Sequence, residues 1–344
     1  MALISFNDKM DFASLATHSL NLGDEIQRLA ADRFLPRIDH ILDRERLHEA
    51  RKLPEIFYLS NGWFAHHPER FPPPLNLKPF YVSFHLASAC KLSAEAVAHL
   101  ISSAPIGCRD QHTLALLRGY KVPSYFSGCL TWTLSRPSRV RNGEVLLVDV
   151  PAKLRNKMPP ALVQNARRLT HWCGVGATDD YIQMPEMVLH RLRAGVQNAL
   201  WRMGRFMRAR RDISLETEAQ VQHWRMEQAE TLLALYASAG LVVTSRIHCY
   251  FPCLAMGTPV VLVQPNKVFA AERYGFQVPF LTSWTENDID RIEWRPTPPD
   301  LTPARLFLES LCKEAVRIQG NPLQNTPIEH FYRISGWHGD GVSC

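Results

Sequence analysis

The sequence predicts a two-domain α/β protein built on parallel sheets, and three observations carry that expectation. The segment Val242 to Val263 reads as strand, turn, helix and strand, with Leu241 to Thr244 and Pro259 to Val263 as the strands. Short apolar runs alternate with helical stretches in both halves of the chain. A length of 344 residues exceeds one small domain and suits two of about 150 residues each.

In chain order, Phe12 to Thr17, Ile56 to Ser60, Phe80 to Leu86, Pro105 to Cys108 and Ser124 to Cys129 are expected as strands. Asp24 to Phe34, Ser93 to Ser102 and Asp110 to Leu117 are expected as helices, the last stopped by Gly119. The polar, turn-rich stretch Ser135 to Gly143 marks a boundary, and the strand Glu144 to Val150 opens a second alternating series. That series continues with a cationic helix over 187–211, a long helix from Glu216 to Ala239, and the strand to Thr244. Next come a helix from His248 to Met256, with Pro252 in its first turns and Gly257 as its stop, and a strand near Val278 to Leu281. After the proline-rich stretch Arg295 to Pro303, the helix Pro303 to Ile318 is expected to cross back onto the first domain, and Ser335 to Cys344 to fray. The expected division is 1–140 and 141–320, with a tail over 321–344.

Hydrophobic content of 46% and charged content of 21% fit a soluble globular protein, and no apolar run approaches a bilayer span. The opening residues, interrupted by Asp8, Lys9 and Asp11, lack the apolar core of a secretory signal, so a cytoplasmic location is expected. Cysteines at 90, 108, 129, 173, 249, 253, 312 and 344 contain no C-x-x-C and read as small buried apolar groups; neither disulfides nor a metal site are expected.

The net charge of +6 is concentrated. Arg191, Arg193, Arg202, Arg205, Arg208, Arg210 and Arg211 fall between Met187 and Arg211 without an acid. On a helix, Leu192, Val196, Ala199, Met203, Phe206 and Met207 share one face, and Arg191, Trp201, Arg202, Arg205 and Arg208 share the other. This cationic back reads either as a solvated face or as a surface for anionic lipid head groups at the inner side of a membrane. No base-reading motif accompanies it, which argues against nucleic acid.

Four clusters fall at expected strand ends. Asn21, Leu22, Gly23, Asp24 and Glu25 follow the first strand; Gly23 permits close approach, and Asp24 is placed either to act as a base on a hydroxyl or to cap the helix. Ser60, Asn61, Gly62 and Trp63 offer an amide beside an indole, a plausible sugar platform or ordinary packing. Arg109, next to Asp110 and ahead of a helix, is either a buried pair or a planar fork for carboxylate or phosphate. Ser245, Arg246 and His248 bring a cation and an imidazole to a helix N-terminus, where free N–H groups hold anions. Asn266 and Lys267 follow the next strand, and Lys267 could add a further cation. The phosphate-loop, dinucleotide, zinc-protease and serine-hydrolase signatures are all missing.

Taken together, N-L-G-D-E-I-Q at 21–27, S-N-G-W-F at 60–64, P-I-G-C-R-D with Thr113, F-S-G-C-L-T at 126–131 and T-S-R-I-H-C at 244–249 resemble the polysaccharide pyruvyl transferase family. The resemblance implies two Rossmann-like domains facing a cleft, as in GT-B glycosyltransferases. It also implies transfer of an enolpyruvyl unit from phosphoenolpyruvate to a sugar or lipid-linked acceptor, with no cofactor beyond that donor substrate. The family's arginine and histidine positions would fall on Arg109, Arg246 and His248. Two rival readings are a nucleotide-sugar glycosyltransferase of the same fold and a catalytically silent binding protein of envelope polysaccharide assembly.

Overall fold

The computed structural model describes residues 10–17, 21–64, 67–86, 91–135, 140–172, 215–264 and 282–337. Two parallel sheets carry the chain. The first contains β1 (Asp11–Ala16), β2 (His40–Asp43), β3 (Ile56–Phe64), β4 (Leu77–Leu86), β5 (Ile106–Cys108) and β6 (Ser124–Phe126), in the order β2-β1-β3-β4-β5-β6. Its helices are α1 (Leu22–Asp32), α2 (Ala94–Ser102) and α3 (Gln111–Gly119). The second contains β7 (Val145–Val148), β8 (Arg167–Leu169), β9 (Leu241–Thr244), β10 (Val260–Val263) and β11 (Ser283–Trp284), ordered β11-β10-β9-β7-β8. With it run the short α4 (Ala152–Arg155) and α5 (Pro160–Val163), the long α6 (Leu215–Ser238) and α7 (Ile247–Ala255). The chain then forms α8 (Thr302–Ile318) and α9 (Ile328–Ser335).

The central strands β3, β4 and β9 are buried on both faces, which is why they read as continuous apolar runs without alternation. β3 runs four residues past its expected end at Ser60, because its register against β4 shifts between Ser60 and Gly62. Gly62 takes up the irregularity at φ +99°, a conformation that favours glycine. β2 was not anticipated: it is a short edge strand, His-Ile-Leu-Asp, whose half-exposed residues give no apolar run. Gly257 ends α7 at φ +66°, as its position predicts. The cationic segment 187–211, the strand expected at 278–281 and Lys267 lie outside the described residues.

One hydrophobic cluster runs through both sheets, joining Phe12, Phe57 and Phe84 to Val242, Phe251 and Leu262; a smaller one covers the far side of the second sheet. Trp132, fully buried, links the two parts, with its ring 5.5 Å from Phe251 and 6.2 Å from Trp337. α8 lies against the first sheet's side of the molecule, where Phe307 meets Tyr125 at 6.3 Å. Asn321 fastens the chain beyond it by donating to the carbonyls of Ser103 and Pro105. The expectation of a frayed end from Ser335 is corrected for Ser335 to Trp337. Ser335 Oγ donates to the Phe331 carbonyl, and the Trp337 indole is buried against Trp132, an apolar contact that holds the end down.

In each sheet the strand order reverses once, between β1 and β3 in the first and between β7 and β9 in the second. Loops leaving the carboxyl ends of such strand pairs diverge and open a crevice there. Asn21, Gly23, Asp24 and Gly62 sit at the first reversal; Asp149, Ser245, Arg246 and His248 sit at the second.

Candidate active site

The second sheet supplies a guanidinium held in place from two sides. Beyond Thr244 the chain turns at Arg246, which stands in extended conformation at the start of α7 and donates its backbone N–H to Thr244 Oγ1 at 2.9 Å. The Arg246 side chain makes no cap hydrogen bond to the first turn of α7. Arg246 Nε donates to Asp149 Oδ2 at 2.8 Å, and its guanidinium lies over the Trp172 ring at 4.9 Å. Asp149 takes φ +51° at the end of β7. Its carboxylate accepts from Thr170 Oγ1 at 2.6 Å and His171 N–H at 2.9 Å, while its carbonyl accepts from Ser245 Oγ at 2.7 Å. Burial would raise the Asp149 pKa, but Arg246 and these hydrogen bonds outweigh it and hold the carboxyl below its ordinary value.

The start of α1 closes onto this arrangement. Asn21 Oδ1 accepts from Gly23 N–H at 3.1 Å, the carbonyl of His171 accepts from Leu22 N–H at 2.8 Å, and the Asn21 carbonyl accepts from Asp24 N–H at 3.0 Å. Asn21 also forms a β-bridge with Trp172. The first-turn N–H groups of α1 are thus used within the protein. Gly23 is where the sheets touch: a Cβ there would stand 3.2 Å from His171 Nδ1 and 3.3 Å from His248 Cβ. Any larger residue would push both histidines back.

A second polar chain extends along the first sheet. Asp24 Oδ1 accepts from Arg44 Nη2 at 3.1 Å and from Gln27 Nε2 at 3.2 Å. Gln27 Oε1 accepts in turn from Arg109 Nη1 at 3.4 Å, and Arg109 Nε lies 3.7 Å from Asp110 Oδ2. Asp110 caps α3 by accepting from Thr113 N–H at 2.8 Å, and its other oxygen meets His85 Nδ1 in a short hydrogen bond. Burial alone would raise the Asp110 carboxyl, but His85, Arg109 and the Thr113 N–H hold it at about 2. Burial, reinforced by Arg109, pushes His85 down to about 4 against the pull of Asp110.

The family model for polysaccharide pyruvyl transferase matches residues 91–266, just over half of the chain. The chain belongs to the polysaccharide pyruvyl transferase family. No curated protein matches it. The stretch this family member shares with the model contains Arg109, Ser245, Arg246 and His248; Asn21, Gly23, Asp24, Asn61 and Trp63 precede it, and Lys267 follows it by one residue.

Of the residues singled out in the sequence, Asn21, Gly23, Asp24, Ser245, Arg246 and His248 gather at the seam between the sheets. Arg109 is joined to that group through Gln27, one helical turn beyond Gly23. Asn61 is buried and donates its amide to the Gln27 carbonyl at 3.0 Å, so it braces α1. Trp63 is half-buried with its ring edge-on to His85 at 5.1 Å. Sequence reasoning missed Gln27, Arg44, His85, Asp149, His171 and Trp172. Two of these carried a signal: Asp149 interrupts the apolar run L-L-V-D-V, and His85 stands between Phe84 and Leu86 in a strand otherwise apolar. Among the described residues no group of three His, Cys, Asp or Glu could hold a metal ion. The five described free cysteines are all buried.

Proposed function

We propose that this family member moves the enolpyruvyl unit of phosphoenolpyruvate onto a sugar of a cell-surface polysaccharide, or onto its lipid-linked precursor, forming a pyruvate ketal on the cytoplasmic side. The reaction takes place in a cleft between two Rossmann-like domains arranged as in GT-B enzymes. What carries the reading is the meeting at Gly23, where His248 of one sheet lies against the first turn of the helix that bears Asp24 on the other. Phosphoenolpyruvate holds a phosphate and a carboxylate close together, and replacing their water takes cations and N–H groups in one place. Arg246 at the start of α7 holds one anionic group, and Arg109 holds the other.

In the reaction a sugar hydroxyl adds to C2, the methylene carbon gains a proton, phosphate leaves and a second hydroxyl closes the ketal. His248 as imidazolium delivers a proton, either to the methylene carbon or to the departing phosphate. Asp24 receives a hydroxyl proton. Among the described residues its side-chain hydrogen bonds, from Arg44 and Gln27, both fall on Oδ1, which supports Oδ2 for that task.

The test follows phosphate release from phosphoenolpyruvate with a panel of nitrophenyl and lipid-linked sugars, alongside thermal shifts with phosphoenolpyruvate, UDP and GDP. We expect phosphoenolpyruvate to raise the melting point, since a ligand that binds only the folded state stabilises it. His248→Ala should slow phosphate release by about 100-fold or more. Stabilisation by UDP or GDP in place of phosphoenolpyruvate would turn the reading toward a nucleotide-sugar enzyme, and unchanged rates in His248→Ala would remove that residue from the chemistry.

A further inference from the structure

We infer that His85 and Asp110 form a second proton-accepting site on the first-sheet side of the seam, with His85 Nε2 taking the proton of one of the two acceptor hydroxyls that a ketal consumes. The inference rests on the pyruvyl-transfer reading. In that reaction each hydroxyl breaks its O–H bond as its oxygen bonds to C2, one by addition and one as phosphate is replaced. Of the two protons released, the balance places one on the methylene carbon and the other on the departing phosphate or water, and no electrons are transferred. Asp24 can serve one hydroxyl, and the other needs a separate acceptor.

His85 is the penultimate residue of β4, at the carboxyl end of a central strand, and it is almost wholly buried. Asp110 is fixed independently of it, by capping α3 through the Thr113 N–H. An ionised carboxylate can only accept, so the hydrogen on His85 must sit on Nδ1, the nitrogen that faces Asp110. The lone pair of the neutral ring then resides on Nε2, and Nε2 makes no hydrogen bond among the described residues. A base oriented by a carboxylate behind it is a recurring arrangement for taking a hydroxyl proton. The charged and titratable groups felt by the ring are Arg109, Asp110 and His112, with the Thr113 hydroxyl 3.3 Å from Nδ1. Arg109 links the pair to the rest of the site, because the guanidinium that touches Asp110 also donates to Gln27, the partner of Asp24. Trp63 walls the imidazole edge-on.

Two measurements on the full-length protein test this. In the first, nitrogen-15 spectra of histidine-labelled protein should show His85 at neutral pH as the Nδ1–H tautomer with a bare Nε2; a neutral ring carrying its hydrogen on Nε2 overturns the inference, and no acceptor is needed. In the second, His85→Gln is compared with wild type for phosphate release from phosphoenolpyruvate in the presence of nitrophenyl hexosides. We expect kcat to fall by about 100-fold or more, with the thermal shift given by phosphoenolpyruvate retained. Wild-type kcat in His85→Gln, or a change in KM alone, marks the pair as structural and overturns the inference while leaving pyruvyl transfer intact. A wild-type protein that phosphoenolpyruvate does not stabilise overturns the pyruvyl-transfer reading, and this inference with it.

Discussion

At the scale of single residues, Arg246 is the side chain whose surroundings say most about its task. A flexible cation on the surface samples many rotamers, whereas this one is fixed by Asp149 on one edge and by the Trp172 face beneath it. Only a planar guanidinium satisfies both contacts at once. Arg246→Lys keeps the charge but gives up the fork and the stacking, and a hydrogen bond between charged groups contributes about 1.5–3 kcal/mol. We therefore expect the substitution to lower the melting temperature and to raise KM for phosphoenolpyruvate about tenfold or more, measured by calorimetry and initial rates. An unchanged KM would show that the Asp149 and Trp172 contacts do not prepare Arg246 for an anion. Arg246 and His248 were singled out in the sequence because a cation and an imidazole fall directly after an apolar strand and ahead of a helix. Arg44 and His171 were not legible, since they join the site through contacts with residues remote in the chain: Arg44 reaches back twenty positions to Asp24, and His171 meets Gly23 from the other sheet.

At the scale of elements, the loop after β6 matters more than its length suggests. Gly128 has φ +74°, and a Cβ on it would stand 2.0 Å from the Trp132 ring. That ring has nowhere to retreat, being buried between Phe126, Phe251 and Trp337. Gly128→Ala combines backbone strain of about 1–3 kcal/mol with overpacking of a similar size. The expected result is a loss of about 3 kcal/mol or more in urea unfolding, accompanied by altered tryptophan fluorescence; wild-type stability would mean that the turn repacks without cost. The motif F-S-G-C-L-T marked this loop in the sequence, but not its role. What the sequence conveys as a strand ending near Cys129 is in fact a strand ending at Phe126, followed by a tight turn that delivers an indole to the other sheet. Apolar content alone does not distinguish a residue that extends its own sheet from one that packs against another.

At the scale of the whole molecule, one hydrophobic cluster includes buried residues of both sheets. A buried ion cluster reinforces the junction: Arg225 of α6 pairs with Glu25 of α1 and donates to the Thr17 carbonyl at 2.9 Å, and Arg28 lies 3.7 Å from the same carboxylate. Burial raises the Glu25 pKa, and the two arginines offset part of that rise. Removing one partner leaves the carboxylate short of compensation in a site with little water, which costs about 3–5 kcal/mol. Arg225→Met should lower stability by that amount, and wild type and variant should each unfold in a single cooperative transition by circular dichroism and fluorescence together. Two separated transitions would mean that the sheets fold as independent units and that their common core is not cooperative.

By itself the sequence determined the local parts of this protein. It fixed the parallel α/β character through apolar runs too continuous for a half-exposed sheet, the strand-to-helix turn that bears Arg246 and His248, and the family through motifs in their expected order. These depend on interactions between residues close in the chain, where strand burial, helix entry and glycine stops leave a periodic or positional trace. The tertiary structure decided which carboxylate orients which cation and that His85 stands against Asp110. Each of those outcomes depends on which distant groups share a desolvated space, and a buried polar group takes whatever partner the packing brings to it.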